Sequence, residues 1–384
     1  MKKIFLNKSN FLIGFCFAIC VIIAITTACR KQEDTLVVNG PAPTPRLPIQ
    51  VYSYYDFSSF GSSNTVTLGR VLFYDKNLSL NNAISCGSCH VQQHAFADNH
   101  QFSMGLNNGF TSRNASAIFS SPGHNKFWDG RADDYSTAVF MPVQNHLEMN
   151  IFSLNILPTK LAQLSYYPDL FEAAYGTSEI NVARIRGALA SFLGAMHSSN
   201  SKFDNASNSN QPLTAIEEKG LEIFNGKGKC YNCHSGDDFN NYTTSYENIG
   251  LETNYSDNGR GKITNDPGDN GKFIVPTLRN IALTAPYMHD GRYKTLREVI
   301  DHYSEGIQNH PNLSPIFRDI SNAELTNVPD TFTTENSVTA FLSGYPVLNL
   351  NLSEDEKKAL EAFLNTLTDV SFITDPKFSD PFHN

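Results

Sequence analysis

Two short strings constrain this chain more than anything else in it: Cys86-Gly-Ser-Cys89-His90 and Cys230-Tyr-Asn-Cys233-His234. Cys-x-x-Cys-His is the sequence to which c-type haem is attached. Its two thiols form thioethers with the vinyl groups, and the adjacent His is drawn beneath the iron as proximal ligand. Of the seven cysteines, Cys16, Cys20 and Cys29 lie near the N-terminus; the two motifs use the other four, leaving none for a disulfide. The rival chemistry is a structural zinc on two Cys-x-x-Cys knuckles. Zinc needs no His after each pair, and the pairs are far apart in sequence. The chain is therefore expected to fold around two covalent haems.

The N-terminus places the body outside the cytoplasm. Lys2, Lys3 and Lys8 precede an uncharged apolar run from Phe11 to Ile25, followed by Thr26-Thr27-Ala28-Cys29. Residues 1–28 read as a secretory signal, since the run is shorter than the roughly 20 residues a spanning helix needs. Small residues directly before Cys29 resemble a bacterial lipobox, so the expected form is a periplasmic lipoprotein held to a membrane by lipidated Cys29. A non-lipid signal peptide or an uncleaved anchor is the alternative. Residues 29–60 are polar and Pro-rich (Pro41, Pro43, Pro45, Pro48) and read as a tether. The formal net charge of −9 becomes more negative once the three signal lysines are lost, which argues against a nucleic-acid partner.

Two haem domains are expected, an N-terminal one over 61–205 and a C-terminal one over 206–384, divided at a polar run from Asp204 to Gln211. The halves echo one another. Leu68 to Phe73 and Lys219 to Phe224 are helix-like segments ahead of each haem motif. Arg113-Asn114 with Asp129-Gly130-Arg131 follows the first motif, and Arg279-Asn280 with Asp290-Gly291-Arg292 follows the second. A helical stripe runs from Ile180 to His197. Capping boxes mark helix starts at Thr214/Glu217, Thr295/Glu298 and Ser353/Glu356. The fold class expected is mainly α: two c-type cytochrome domains, each around one covalently attached haem, with long irregular loops. Gly236 to Lys272 is such a loop, and loops of that length are usually functional or mobile.

From about Leu68 to Leu367 the chain resembles the bacterial di-haem cytochrome c peroxidase family, which includes the MauG-type enzymes. The resemblance rests on Leu68-Gly-x-x-Leu-Phe-x-Asp-x-x-Leu-Ser79, Phe127-Trp-Asp-Gly-Arg131, Pro142 to Glu148-Met149, Val275-Pro-Thr-Leu-Arg-Asn280, Thr284-Ala-Pro-Tyr-Met-His-Asp-Gly291 and Thr295-Leu to Tyr303, besides the haem motifs. It implies a haem peroxidase whose N-terminal haem meets hydrogen peroxide and whose C-terminal haem takes in electrons. The donor would be a small periplasmic protein such as a cytochrome c. It implies His90 and His234 as proximal ligands, Glu148 as distal acid–base group and Trp128 as electron relay between the haems. It also implies a Ca²⁺ ion held by the Asn114 side chain and the carbonyls of Thr284 and Pro286, oxygen ligands of the hard kind that Ca²⁺ takes. Relatives often pair, which raises a homodimer. Asp266 and Asp269 suggest another cation site, although a solvated turn is the plainer account.

Three positions depart from the peroxidase pattern or divide the family. Where some members carry a distal His that blocks the first iron, this chain has Leu106 in Ser103-Met-Gly-Leu106. The iron is then expected to be open in the oxidised protein unless His94, His100 or Met104 substitutes. Ala138 stands where the family typically has a distal Gln. For the second haem, Tyr303 lies on one helical face with Leu296, Val299 and Ile300 and matches the MauG-type distal Tyr, with Met288 as rival. Phenolate ligation favours oxidised iron. The alternative function is therefore a MauG-type oxidase that uses peroxide-derived high-valent iron to oxidise a residue of a partner protein. A non-catalytic electron-transfer cytochrome is the third reading.

Overall fold

The computed structural model describes residues 44–46, 48–53, 61–119, 124–206, 211–241, 243–320 and 334–382, all within one compact unit over 40–384. The signal, Cys29, much of the tether and residues 207–210 of the polar run lie outside the described residues. The architecture is mainly helical, with one antiparallel pair of two-residue strands among the described residues, Tyr246–Glu247 and Phe273–Ile274.

Two helix pairs organise it. Helix Ser63–Tyr74 begins at Ser62, whose hydroxyl accepts the Thr65 N–H, and it is buried from Thr65 to Tyr74. It packs on helix Val182–Ala195, which realises the expected stripe and buries Ile185, Ala188, Leu189 and Phe192. The crossing point is Gly69, where a β-carbon would stand 2.0 Å from the Ala188 carbonyl oxygen and 2.7 Å from Phe192 Cβ. Only a residue without a side chain lets the two backbones approach so closely. In the second pair, helix Ala215–Asn225 crosses helix Glu354–Asn365 at Gly220. There a β-carbon would meet the Ala359 carbonyl oxygen at 2.0 Å and Phe363 Cβ at 2.7 Å. All three expected capping boxes form, the one at Thr295 opening helix Leu296–Asp301.

The echo continues into the loops. Lys126 pairs with Ala132 around Asp129-Gly130-Arg131, and Tyr287 with Tyr293 around Asp290-Gly291-Arg292. Gly130 and Gly291 turn these loops at φ of +65° and +63°, a region glycine enters without steric cost. The repeated sequence triplets are thus repeated loop conformations.

Each helix pair covers its own hydrophobic core, one centred on Leu68, Leu72, Phe73, Phe96, Phe171 and Phe192, the other on Ile223, Phe224, Phe239, Leu360 and Phe363. Sequence order does not divide these cores cleanly. Phe372 and Phe378, from the chain's tail, pack into the first core, with Phe372 4.9 Å from Phe119 and 5.6 Å from Phe96. Phe203, ahead of the expected boundary, packs into the second against Phe239 and Phe363. The described part of the tether is docked rather than extended. Arg46 N–H donates to the Pro381 carbonyl at 3.1 Å, Gln50 O accepts from Arg70, and Ile49 lies on the first core. Among the described residues no helix is long and apolar enough to cross a membrane.

Candidate functional site: two haem cavities sharing a wall

Each Cys-x-x-Cys-His string folds as one tight turn, Cys86–Ser88 and Cys230–Asn232, closed by the His N–H donating to the first Cys carbonyl at 2.9 Å and 2.8 Å. In the first, Gly87 lies flat on Tyr74, whose ring would be 2.4 Å from any β-carbon there. The imidazoles are then oriented alike. His90 Nδ1 donates to the Phe96 carbonyl at 2.8 Å, and His234 Nδ1 to the Phe239 carbonyl at 2.8 Å. Both Phe residues adopt left-handed backbone, φ 57° and 53°. Burial lowers the pKa of His90 and pushes His234 down to about 4, so both rings are neutral at pH 7. A neutral imidazole whose Nδ1–H is fixed on a carbonyl offers the Nε2 lone pair, the arrangement a metal-ligating His needs.

Each turn lines its own cavity. The first, of about 900 Å³, has Cys86, Cys89 and His90 on its wall, with Ala138, Asn145, Glu148 and Trp128. The second, of about 200 Å³, is lined by Cys230, Cys233 and His234 with Met288 and Tyr303. Burial pushes Cys86 up to about 12 and Cys230 likewise to about 12, as in apolar walls suited to a porphyrin face. The two thiol pairs sit in different cavities, and among the described residues no cluster of three or more His, Cys, Asp or Glu side chains is placed to bind a metal by itself. That arrangement fits two haems and does not fit a shared zinc.

Trp128 lines both cavities, and its indole N–H donates to the Asn114 carbonyl at 2.9 Å. Asn114 N–H in turn donates to the His289 carbonyl at 2.8 Å. The Asn114 side chain spends its amide N–H on the carbonyls of His100 and Gln101, at 3.0 Å and 3.4 Å, while no described donor reaches its Oδ1. Thr284 and Pro286 line the second cavity, and among the described residues no backbone N–H donates to either carbonyl. Oxygens of this kind are ligands that a hard cation accepts, although three fall short of the six to eight that Ca²⁺ takes. Asp266 and Asp269 instead hold a turn: Asp266 accepts the Gly268 N–H at 2.8 Å, and both carboxylates accept from Asn336.

Glu148 faces the first cavity. Burial raises its pKa, opposed by an amide hydrogen bond from Asn145 and by the charge of Arg131. Ala138 also faces this cavity, so its methyl stands where an amide was expected. Leu106 is buried but does not line the cavity; His94, His100 and Met104 do not line it either, and Met104 is 61% exposed. His124, which the sequence did not single out, does line it. In the second cavity Leu296, Val299, Ile300 and Tyr303 all reach the wall, as the helical face requires, though the regular helix ends at Asp301 and Tyr303 sits in a wider π-helical turn. Such turns recur at functional sites. The ring stacks on Phe317 at 5.9 Å, and burial raises its phenol pKa. Met288 lines the same cavity. Glu247 joins them, its pKa raised by burial, on a two-residue strand too short to be read in sequence.

The long excursion contributes to both cavities, and its middle reaches the first. Asp257 and Lys262 line it, and Asp257 receives Arg113 through two bonds, Nε at 2.6 Å and Nη2 at 2.8 Å. Arg260 reaches the carbonyls of Asp129 and Gly130.

Two oriented, neutral imidazoles, each beside a pair of thiols in its own cavity, define a di-haem c-type cytochrome. A family profile described as di-haem cytochrome c peroxidase matches residues 63–212. Cytochrome c551 peroxidase of Nitrosomonas europaea is 33% identical over 251 residues, 62% of this chain and 72% of that protein. Methylamine utilization protein MauG of Methylorubrum extorquens is 32% identical over 255 residues, 65% of this chain and 71% of that protein. Among solved structures, a MauG-like protein associated with microbial copper homeostasis matches with a TM-score of 0.72 at 32% identity, over 90% of this chain and 99% of that one. The chain belongs to the di-haem cytochrome c peroxidase family, a family of haem-dependent oxidoreductases.

Proposed function

We propose that the protein reduces hydrogen peroxide to water at the first cavity, with electrons entering through the second from a small periplasmic donor such as a cytochrome c. The observation that carries this reading is Glu148, a half-buried carboxyl of raised pKa that lines the same cavity as Cys86, Cys89 and His90. Each haem would supply a redox-active iron, its porphyrin attached through Cys86 and Cys89 or Cys230 and Cys233 and its iron held by His90 or His234. Overall, one peroxide, two electrons and two protons give two waters. Glu148 would take a proton from one peroxide oxygen and return it to the other as the O–O bond breaks, so cleavage needs no free hydroxide. Trp128, present in both cavity walls, is the relay residue between them.

Asn114, Thr284 and Pro286 would hold a Ca²⁺ ion through the oxygens left without donors. Tyr303 is the proposed distal ligand of the second iron; its lining of the same cavity as His234 supports it over an exposed role, and Met288 is its competitor. We further propose one haem domain for each helix pair, export with a lipid anchor at Cys29, and pairing of two subunits.

Tyr303, together with a first cavity lined by none of His94, His100 and Met104, favours a second reading. In it the protein is a MauG-type oxidase whose oxidising equivalents leave to a partner protein. One experiment addresses both readings. Fully oxidised holoprotein is mixed in stopped flow with stoichiometric peroxide, then turned over with reduced cytochrome c. Rapid bleaching of the Fe(III) spectrum followed by cytochrome oxidation is the expected result. Bleaching without cytochrome turnover would favour the partner-oxidising reading. No reaction until one electron is added would show that a ligand closes the first iron and that the peroxidase is reductively activated.

A further inference from the structure

Ala138 removes an amide from the first cavity, and the turn carrying Glu148 brings another from a different direction. Helix Phe140–Gln144 ends at Asn145, whose N–H donates to the carbonyls of Met141 and Pro142. The Asn145 side chain then makes two bonds. Its Oδ1 accepts the Leu147 N–H at 3.0 Å, and its Nδ2 donates to Glu148 Oε1 at 2.6 Å. Its carbonyl accepts the N–H groups of Glu148 and Asn150, at 3.0 Å and 2.9 Å. The opposite side of the turn is closed by Gly105, where a β-carbon would lie 1.6 Å from the Leu147 carbonyl oxygen, and by Leu106 N–H on the Glu148 carbonyl at 3.3 Å. The Glu148 backbone is thus fixed from both sides. One carboxylate oxygen is held by Asn145, and no described donor reaches Oε2. Both side chains line the cavity.

We propose that Asn145 is the positioning residue of Glu148: its amide clamps Oε1 and leaves Oε2 to exchange the peroxide proton, filling the role of the amide missing at position 138. The inference rests on the reading of Glu148 as the acid–base group. No electron passes through either residue; one proton moves to Oε2 and leaves again. A donor on Oε1 stabilises the carboxylate over the carboxylic acid, so it opposes the effect of burial and keeps the base available at lower pH. The other groups facing Glu148 are Arg131 and the sulfurs of Cys86 and Cys89, which thioether formation takes out of titration. Helix 140–144 and segment 103–106, packed on the turn, carry no titratable side chain.

The test compares holoprotein of wild type, N145A, N145D and E148Q. N145D keeps an oxygen for the Leu147 N–H, and so the turn, but replaces the donor with a second carboxylate beside Glu148. Two carboxylates this close resist joint ionisation. The second-order rate with peroxide, followed against pH, should show its acidic limb moved upward by about one pH unit or more in N145D, and less in N145A. The infrared carboxyl band that E148Q removes should titrate upward in step, a readout independent of turnover. An acidic limb and band unmoved in both Asn145 variants, with E148Q slow, would overturn the positioning role and leave the Glu148 reading standing. Wild-type rates in E148Q would overturn both.

Discussion

The two glycine crossings make a quantitative prediction about what holds the haem halves together. Gly69→Ala adds one β-carbon 2.0 Å from the Ala188 carbonyl oxygen and 2.7 Å from Phe192 Cβ. Heavy atoms of this kind rest at about 3.5 Å, so the helices must separate by roughly 1.5 Å along a contact that covers the first core. The clash is with backbone, which cannot rotate away, so the cost belongs at the upper end of the ~1–3 kcal/mol seen for overpacking. Alanine's better helix propensity returns about 1 kcal/mol. The net loss is then about 2 kcal/mol, which for a body of this size lowers the melting temperature by about 3 °C. Gly220→Ala should lose a similar amount, because its would-be contacts with Ala359 and Phe363 have the same lengths. The control is Gly344→Ala, where a β-carbon meets nothing within 4 Å. Circular dichroism melts of the four holoproteins at one scan rate read the differences. Melting of G69A and G220A within a degree of G344A would refute the close-crossing argument, and sensitivity of only one would refute its symmetry.

Three further outcomes follow from single side chains. Tyr303→Phe should convert the second haem from low spin to a different spin state in electron paramagnetic resonance; an unchanged low-spin signal would pass the ligand role to Met288. His124→Ala should leave the oxidised protein's rate with peroxide unaltered, whereas acceleration would identify His124 as a residue that closes the first cavity. Asp204 would be raised by burial alone, yet its hydrogen bonds with Arg279, at 2.9–3.1 Å, and with Ser201 hold its pKa below the usual range. Its contribution is therefore complete above the unfolded carboxylate pKa and disappears as pH falls through the lower folded value. Asp204→Asn should cost up to about 3 kcal/mol near pH 7, since Asp238 still faces Arg279, and the gap from wild type should close in acid denaturation below about pH 4. A gap independent of pH would remove the ion pair as its cause.

What could be read from the sequence, and what could not, divides by range of interaction. Haem attachment depends on residues within one turn, so Cys86 to His90 and Cys230 to His234 announced it. Helix starts depend on residues three apart, so the boxes at Thr214, Thr295 and Ser353 were legible. The i, i+3, i+4, i+7 face from Leu296 to Tyr303 reached a cavity wall as expected, but its last turn widened, because local periodicity does not register how a helix end must open to present a side chain. Asn145 escaped notice because a single Asn in a loop carries no periodic signal; its meaning lies in which oxygen of Glu148 it occupies. The Phe96 and Phe239 carbonyls that orient the two imidazoles escaped for the same reason, being backbone groups in left-handed conformation on aromatic residues.

The long excursion from Gly236 to Lys272 makes the strongest case that site and domain need not coincide. Its composition suggested function or mobility without saying where it would lie. Asp257 is carried on the C-terminal half of the sequence, yet it lines the first cavity and binds Arg113 bidentately, while Arg113 also holds Asp129 of the Trp128 loop at 2.6 Å. Half-buried charges of this kind are stable only when paired, so Arg113 ties the excursion to the loop whose Trp128 borders both cavities. The wall between the cavities is thus assembled from both halves of the chain. A change at Asp257 would be expected to act first on the geometry of that wall and only secondarily on the half in which it is encoded.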